Sequence, residues 1–367
     1  MTFMKSLMTN LMKNIMDRKS LADISWDVSE EEYRADPALS YSTLARYERE
    51  GFNNLDKLFD KIETPSLVYG SAVDSIITGG QEEFDSRFMV ADFPSIPDSI
   101  IKIVKSLYNQ YAEIYRSLVN IPDMSISREA EFQNYQMNWK PETRAKVIKE
   151  KGVDYYYLLF VAGDRCIIDT QTYQDVCNAV RALKESESTK FYFADNNPFE
   201  PNIERFYQLK FKACLEGIEY RCMFDELVIF HDTKEIQPLD LKTSCKRLDR
   251  EWNFPSHYIE WGYQLQNRLY VRILQDVISK DEYFKDFKIL PYKDIIIFRG
   301  SDTPLVWDIP FTFERGTLYF GKNKQIEMRD PEDIGKELSF YLSSRPKVPI
   351  GINETDLNDL KDWLNKL

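Results

Sequence analysis

Asp225, Asp240, Lys242, Gln266 and Tyr270 follow one another in that order along a single stretch of this chain. The text runs Arg221-Cys-Met-Phe-Asp225-Glu-Leu-Val-Ile-Phe230, a turn at His231–Glu235, then Ile236-Gln-Pro-Leu-Asp240-Leu-Lys242-Thr. Two carboxylates and an ammonium on adjoining strands can hold a hard divalent cation and a water beside a phosphate. An amide and a phenol one helical turn apart, as at Gln266 and Tyr270, share a helix face and can hydrogen-bond that phosphate without adding charge.

The elements that must position these groups are a hairpin and a helix. Side chains alternate along a strand, so Asp240 and Lys242 point one way while Leu239 and Leu241 point into the core. Folding the arms about Thr233 brings Asp225 within about one residue of a position opposite Asp240. Carboxylates that close repel unless a cation or proton lies between them. Mg²⁺ fits, and Mn²⁺ substitutes, because both take oxygen ligands. The main-chain carbonyl of Leu241, between the two key side chains, adds a further oxygen. Lys242 then holds the water or helps deprotonate it.

Bulk properties narrow the class. A chain of 367 residues with 43% hydrophobic and 14% aromatic residues can bury a substantial core. No apolar run is long enough to span a bilayer, and polar residues interrupt the N-terminal methionine-rich stretch too early for a secretory signal. The expected location is the cytoplasm (the host's, if the chain is phage-encoded), with no membrane partner. Five cysteines without a Cys-x-x-Cys pair, and only two histidines, argue against a disulfide framework, an iron–sulfur cluster and a histidine-rich zinc site. Buried free thiols are the expectation. A balance of 48 basic against 60 acidic residues excludes a non-specific coat for nucleic acid. It leaves room for a local basic track, at Lys140, Arg144, Lys146, Lys149 and Lys151, or at Lys242, Lys246, Arg247 and Arg250.

Along the chain, residues 1–36 read as a helix and polar connector. Ser40 or Ser42 caps a helix, and Pro65 to Ile77 forms another in which Asp74 faces a polar site. Residues 97–120 carry an apolar seam from Ile100 through Leu118, expected as one helix. Tyr155–Phe160 reads as a buried strand and Thr170–Lys184 as a helix. Strands follow at Phe206–Leu215, Tyr220–Phe230 and Ile236–Thr243, then a helix within 252–277, strands at Asp294–Phe298 and Leu305–Ile309, and a last helix capped by Asp330 and ending near Tyr341. The class is α+β: a central mixed β-sheet flanked by helices, with helical N-terminal and middle elaborations. The expected units are 1–36, a domain over 37–345 with a helical insertion around 81–160, and a helical tail over 346–367.

Asp225, Asp240, Lys242, Gln266 and Tyr270 together resemble the PD-(D/E)XK nuclease superfamily, in particular its RecB-type branch with a Gln-x-x-x-Tyr helix. The Ser40-x-Ser42-x-Leu44 opening, the Gly70-Ser-Ala-Val helix, the segment from Ile168 to Leu183, and Gly217 followed by Asp225 resemble phage and prophage exonucleases of the exodeoxyribonuclease VIII type. The resemblance covers roughly residues 38–80 and 160–275. It implies a PD-(D/E)XK core and a Mg²⁺-dependent exonuclease acting on double-stranded DNA ends, 5′ to 3′, in phage-type recombination or replication. It also implies partnership with a single-strand annealing protein and a homo-oligomer. Asp74 stands where many relatives carry a metal-binding His, which makes it a ligand alongside Asp225, Asp240 and Leu241. Ser42, Thr243, Lys246 and Arg247 are the implied DNA contacts. Two other readings stay open: a structure-specific endonuclease, and a catalytically silent nuclease-like module that binds DNA or protein.

Overall fold

The computed structural model describes residues 18–344 apart from 52–54, 56, 61, 63, 93–95, 245–253 and 310. The N-terminal segment before Arg18 and the tail 346–367, expected as helices, lie outside the described residues. Ser29 and Glu32 cap each other in a reciprocal box that opens α1 (Glu30–Ala35). Ser40, rather than Ser42, caps α2 (Tyr41–Glu50) by accepting from Thr43 N–H. Thr64 and Pro65 open α3 (Pro65–Arg87).

After β1 (Phe88–Val90) come three helices, α4 (Asp98–Tyr111), α5 (Asp123–Phe132) and α6 (Pro141–Ala162), and the chain returns through β2 (Cys166–Ile168), parallel to β1. These helices bury a core of their own, with Ile100, Val104, Leu107, Ile126, Ile148 and Tyr156 inside it. Two expectations are corrected here. The 97–120 seam stops being helix at Tyr111: Ile114 is exposed, and Leu118 is buried from a short 3₁₀ turn. Tyr155–Phe160 is the last part of α6, not a strand. Its aromatic residues favour strands locally, but packing against α4 overrides that preference. Gly152 makes the close approach possible, since a Cβ there would lie 2.5 Å from Val104 Cγ2.

Next come α7 (Thr170–Glu185), β3 (Ile203–Tyr207), β4 (Lys210–Leu215), β5 (Ile218–Met223), β6 (Glu226–Phe230) and β7 (Glu235–Ser244). The chain continues through α8 (Phe254–Glu260), α9 (Tyr263–Ser279), β8 (Lys288–Ile289), β9 (Lys293–Phe298) and β10 (Leu305–Asp308). A meander, β11 (Phe311–Glu314), β12 (Thr317–Phe320) and β13 (Lys324–Glu327), precedes α10 (Pro331–Ser344). The meander is absent from the sequence-based expectation.

The central sheet runs β10-β9-β7-β6-β3, with β8 beside β7. It is mixed: β7 pairs antiparallel with β6 and parallel with β9. Leu227, Ile229 and Ile236 face one core, with α9 and the β4–β5 hairpin. Val228, Leu239, Ile295 and Ile297 face the other, with α3 and α7. The sheet is thus packed on both faces, the α+β arrangement that the element pattern predicts.

Three expected continuous elements are broken. The strand expected over 206–215 divides at Gln208, which holds φ +57, and that over 220–230 divides at Phe224–Asp225. The helix expected within 252–277 divides at Gly262, which holds φ +71. All three breaks border the candidate site.

Candidate active site

The β6–β7 ladder ends with Glu226 opposite Leu239, so its paired register stops just short of Asp225, the residue before β6, and Asp240, the next on β7. There the main chain leaves the ladder: Phe224 N–H donates to Leu209 O at 2.9 Å, and Gln208 N–H donates to Asp225 O at 3.3 Å. The Asp225 side chain supplies the missing acceptor, its Oδ2 receiving Leu241 N–H at 2.8 Å. Alternation along β7 then sends Asp240 and Lys242 toward α9, while Leu239 and Leu241 pack on the α3 side.

Asp240, Lys242 and Gln266 close a ring. Lys242 Nζ lies 2.5 Å from Asp240 Oδ2 and donates to Gln266 Oε1 at 2.9 Å, while Gln266 Nε2 donates to Asp240 Oδ1. That amide orientation puts oxygen on the ammonium and nitrogen on the carboxylate, the one assignment that satisfies both. The face of Tyr263 covers Nζ at 4.3 Å from its ring centroid. Burial by itself would pull the Lys242 ammonium down, but Asp240, Tyr263, Tyr41 and Asp225 together outweigh it and hold the pKa above the ordinary value. Lys242 is therefore a fixed positive charge.

A third carboxylate arrives from α3. Asp74 accepts from Gln208 Nε2 at 3.0 and 3.2 Å. Gln208 sits in left-handed backbone, a strained conformation for a residue with a side chain, and that geometry turns its amide toward Asp74. The close seating of α3 depends on Gly70, where a Cβ would lie 2.7 Å from Thr243 Oγ1.

The three carboxyls disturb one another. Burial, then the neighbouring Asp240 and Asp74, push Asp225 well above the usual carboxylate range. Burial is also the main cause that raises Asp74 to about 6. On β9, directly beside Asp240 in the parallel ladder, Asp294 is raised to about 7 by burial and by Asp240. Asn267 Nδ2 donates to Asp294 at 3.3 Å. A cavity of about 10 Å³ lies among Asp74, Asp225, Glu226 and Asp240 on one hand and the apolar Ile77, Phe193, Leu239, Leu241 and Ile295 on the other, with room for about one water.

Among the described residues, no three His, Cys, Asp or Glu side chains converge tightly enough to cage a metal by themselves. Asp240 is turned to Lys242 and Gln266 instead. The donor chemistry nevertheless suits a hard divalent cation: every side-chain donor is oxygen, and burial, with Asp240 adding to it, raises Asp225 and Asp74. The residues fit such an ion in type, although the Asp74, Asp225 and Asp240 carboxylates do not converge on one point as they stand.

The other sequence-derived residues fare variously. Tyr270 points into the core, its ring 5.2 Å from that of Phe224, and makes no described hydrogen bond to Asp240 or Lys242. Ser42 is exposed on α2, its Oγ 2.9 Å from Ser40 Oγ. Thr243 packs against α3 at Gly70. Lys246, Arg247 and Arg250 lie outside the described residues. The first basic track is largely neutralised: Arg144 is buried and bonded to Glu131, Lys149 pairs with Asp123, and Lys146 with Glu150. Cys214 is exposed, against the expectation of buried thiols, and Cys222 is buried. Glu204 holds His231 Nε2 at 2.9 Å, far along the sheet from Asp225.

Sequence reasoning missed Gln208, Tyr263, Asn267 and Asp294. Only Tyr263 carried a signal, since it precedes Gln266 by one helical turn on the same face. The partners of the others come from segments distant in the chain.

A mixed sheet with a carboxylate–ammonium cluster at the mouth of one hairpin defines this molecule. No protein-family model matches the chain, and no curated protein matches it. A solved structure from Eubacterium rectale, described as a candidate exonuclease, aligns with a TM-score of 0.37 and 12% sequence identity, over 87% of this chain and 85% of that one. Among the described residues, no helix is long and apolar enough to cross a membrane.

Proposed function

We propose that this protein is a metal-dependent DNA nuclease of the PD-(D/E)XK type that hydrolyses phosphodiester bonds at double-stranded ends. The observation that carries the reading is the Asp225 carboxylate tied to Leu241 N–H on the strand that carries Asp240 and Lys242, with Lys242 ion-paired to Asp240 and hydrogen-bonded to Gln266. Mg²⁺, or Mn²⁺ in its place, would be held by Asp225, Asp240, Asp74 and the Leu241 carbonyl. When bound it supplies Lewis-acid polarisation of the phosphate.

The chain's own groups do the rest. Lys242 presents a permanent ammonium where negative charge grows on the phosphate. Gln266 hydrogen-bonds both Lys242 and Asp240 and so braces the ion pair between them. Leu241 N–H fixes one oxygen of Asp225 and leaves the second for the ion. Gln208 orients Asp74 from the opposite side.

The test compares linear with covalently closed duplex DNA in Mg²⁺, with a chelator control. Linear DNA is expected to be degraded and closed circles spared. Asp240→Asn should lower the rate by at least about 100-fold with the fold retained. Full activity in that variant removes the proposed site, and degradation of closed circles replaces exonuclease with endonuclease action.

A further inference from the structure

Trp261 is 43% exposed and belongs to none of the hydrophobic clusters. It occupies the junction of α8 and α9, just before the left-handed Gly262 that separates them. Its position is held from below: Tyr41 Oη donates to Trp261 O at 2.9 Å, and Arg49 Nη1 reaches the same carbonyl at 3.4 Å. The Arg49 guanidinium lies 5.1 Å from the indole centroid, and no described carboxylate pairs with it. The Tyr41 ring packs 6.4 Å from that of Tyr263, whose face covers Lys242. Arg49, Trp261, Tyr41, Tyr263 and Lys242 are thereby linked in series, with a cation at each end, the Trp261–Tyr41 link running through the Trp261 carbonyl.

Aromatic faces interleaved with cations are what an unpaired nucleic-acid strand requires. Its bases stack on rings of any sequence, and its phosphates seek positive charge. Trp307, by contrast, is half-buried and packs its ring among Phe254 and Tyr258.

We propose that Trp261, backed by Arg49, is a stacking platform for an unpaired base of the DNA strand whose phosphate lies at Lys242. The inference rests on the nuclease reading and deepens it by naming the substrate form: a strand locally separated from its complement at the site.

The experiment measures fluorescence anisotropy of a short labelled single-stranded oligonucleotide, in Ca²⁺, with the full chain. An abasic oligonucleotide of equal length serves as the second probe. Trp261→Ala should bind the normal strand about tenfold more weakly, while Trp261→Phe stays near the parent. All three proteins should bind the abasic strand alike. Trp261→Leu, which keeps apolar bulk without an aromatic face, carries the same expectation should the alanine variant fail to fold. Unchanged binding of the normal strand, or an equal loss on both probes, overturns the platform. Cleavage by the parent and its loss in Asp240→Asn report separately on the nuclease reading, so an active parent with unaffected Trp261 variants sinks the platform alone. A parent that cleaves no DNA sinks the reading beneath it.

Discussion

Leu241 N–H donates to Asp225 Oδ2 at 2.8 Å, so a backbone amide of β7 is capped by the side chain of the residue that precedes β6. The bond stands in for the backbone hydrogen bond that the ladder no longer provides before β6 begins. It also ties the position of Asp225 to the strand that carries Asp240 and Lys242. Movement of either strand end shifts both. The site is therefore assembled by the sheet margin rather than by a loop.

Gln266 is buried and serves two charged partners at once, so Gln266→Leu leaves an oxygen of Asp240 without its donor. The expected loss of stability is about 1–3 kcal/mol, read as a lowered urea midpoint. Cleavage should fall as well, since Lys242 loses one of its two anchors. An unchanged midpoint shows that Gln266 does not brace the pair.

Gly70 has room for hydrogen only. Gly70→Ala places a methyl 2.7 Å from Thr243 Oγ1 and is expected to destabilise by about 1–3 kcal/mol. The double variant Gly70→Ala with Thr243→Ala should recover most of that loss, because the clashing atom is gone. Strict additivity of the two changes counts against the contact between α3 and β7.

Glu226 is 2% exposed, and neither of its carboxyl oxygens has a hydrogen-bond partner. A buried polar group in that state costs about 1–3 kcal/mol. Glu226→Met, similar in length and apolar, is accordingly expected to raise the melting temperature. A fall would mean that the carboxyl has a structural partner in solution.

Asp36 gives the pH dependence. Burial alone would raise its pKa, but the Lys212 bond at 2.9 Å and the Ala38 N–H at 2.8 Å hold it below the ordinary 3.8. Because the folded pKa is depressed, the native state binds fewer protons than the unfolded chain in acid. The stabilisation is present above pH 3.8 and is lost as the pH falls through the lowered folded value. Asp36→Asn should flatten the acid limb of the melting-temperature profile between about pH 5 and pH 2. An unaltered slope assigns that limb to other carboxyls.

Much of the site was legible in order and spacing. Period-two alternation put Asp240 and Lys242 on one face and Leu239 and Leu241 on the other, and the turn near Thr233 set a register that runs to Glu226 opposite Leu239, one step short of Asp225 and Asp240. Those features depend on neighbouring residues and on one short-range hairpin, so local geometry suffices to read them. The same local rules misread Tyr155–Phe160, where aromatic strand formers continue a helix, and Tyr270, whose ring the core claims.

The amino-acid sequence by itself determined which chemical groups the protein has, which strand faces carry them, and the hairpin whose open end carries the two aspartates. Tertiary structure alone decided that Gln208 turns its amide on Asp74, that Asp294 lies beside Asp240, that α9 lays Gln266 and Tyr263 over Lys242, and that Trp261 is left open to solvent. The physical reason is range. Alternation and turns are set by adjacent dihedral angles, whereas these contacts join segments far apart in the chain and form only when the two cores close on either face of the sheet.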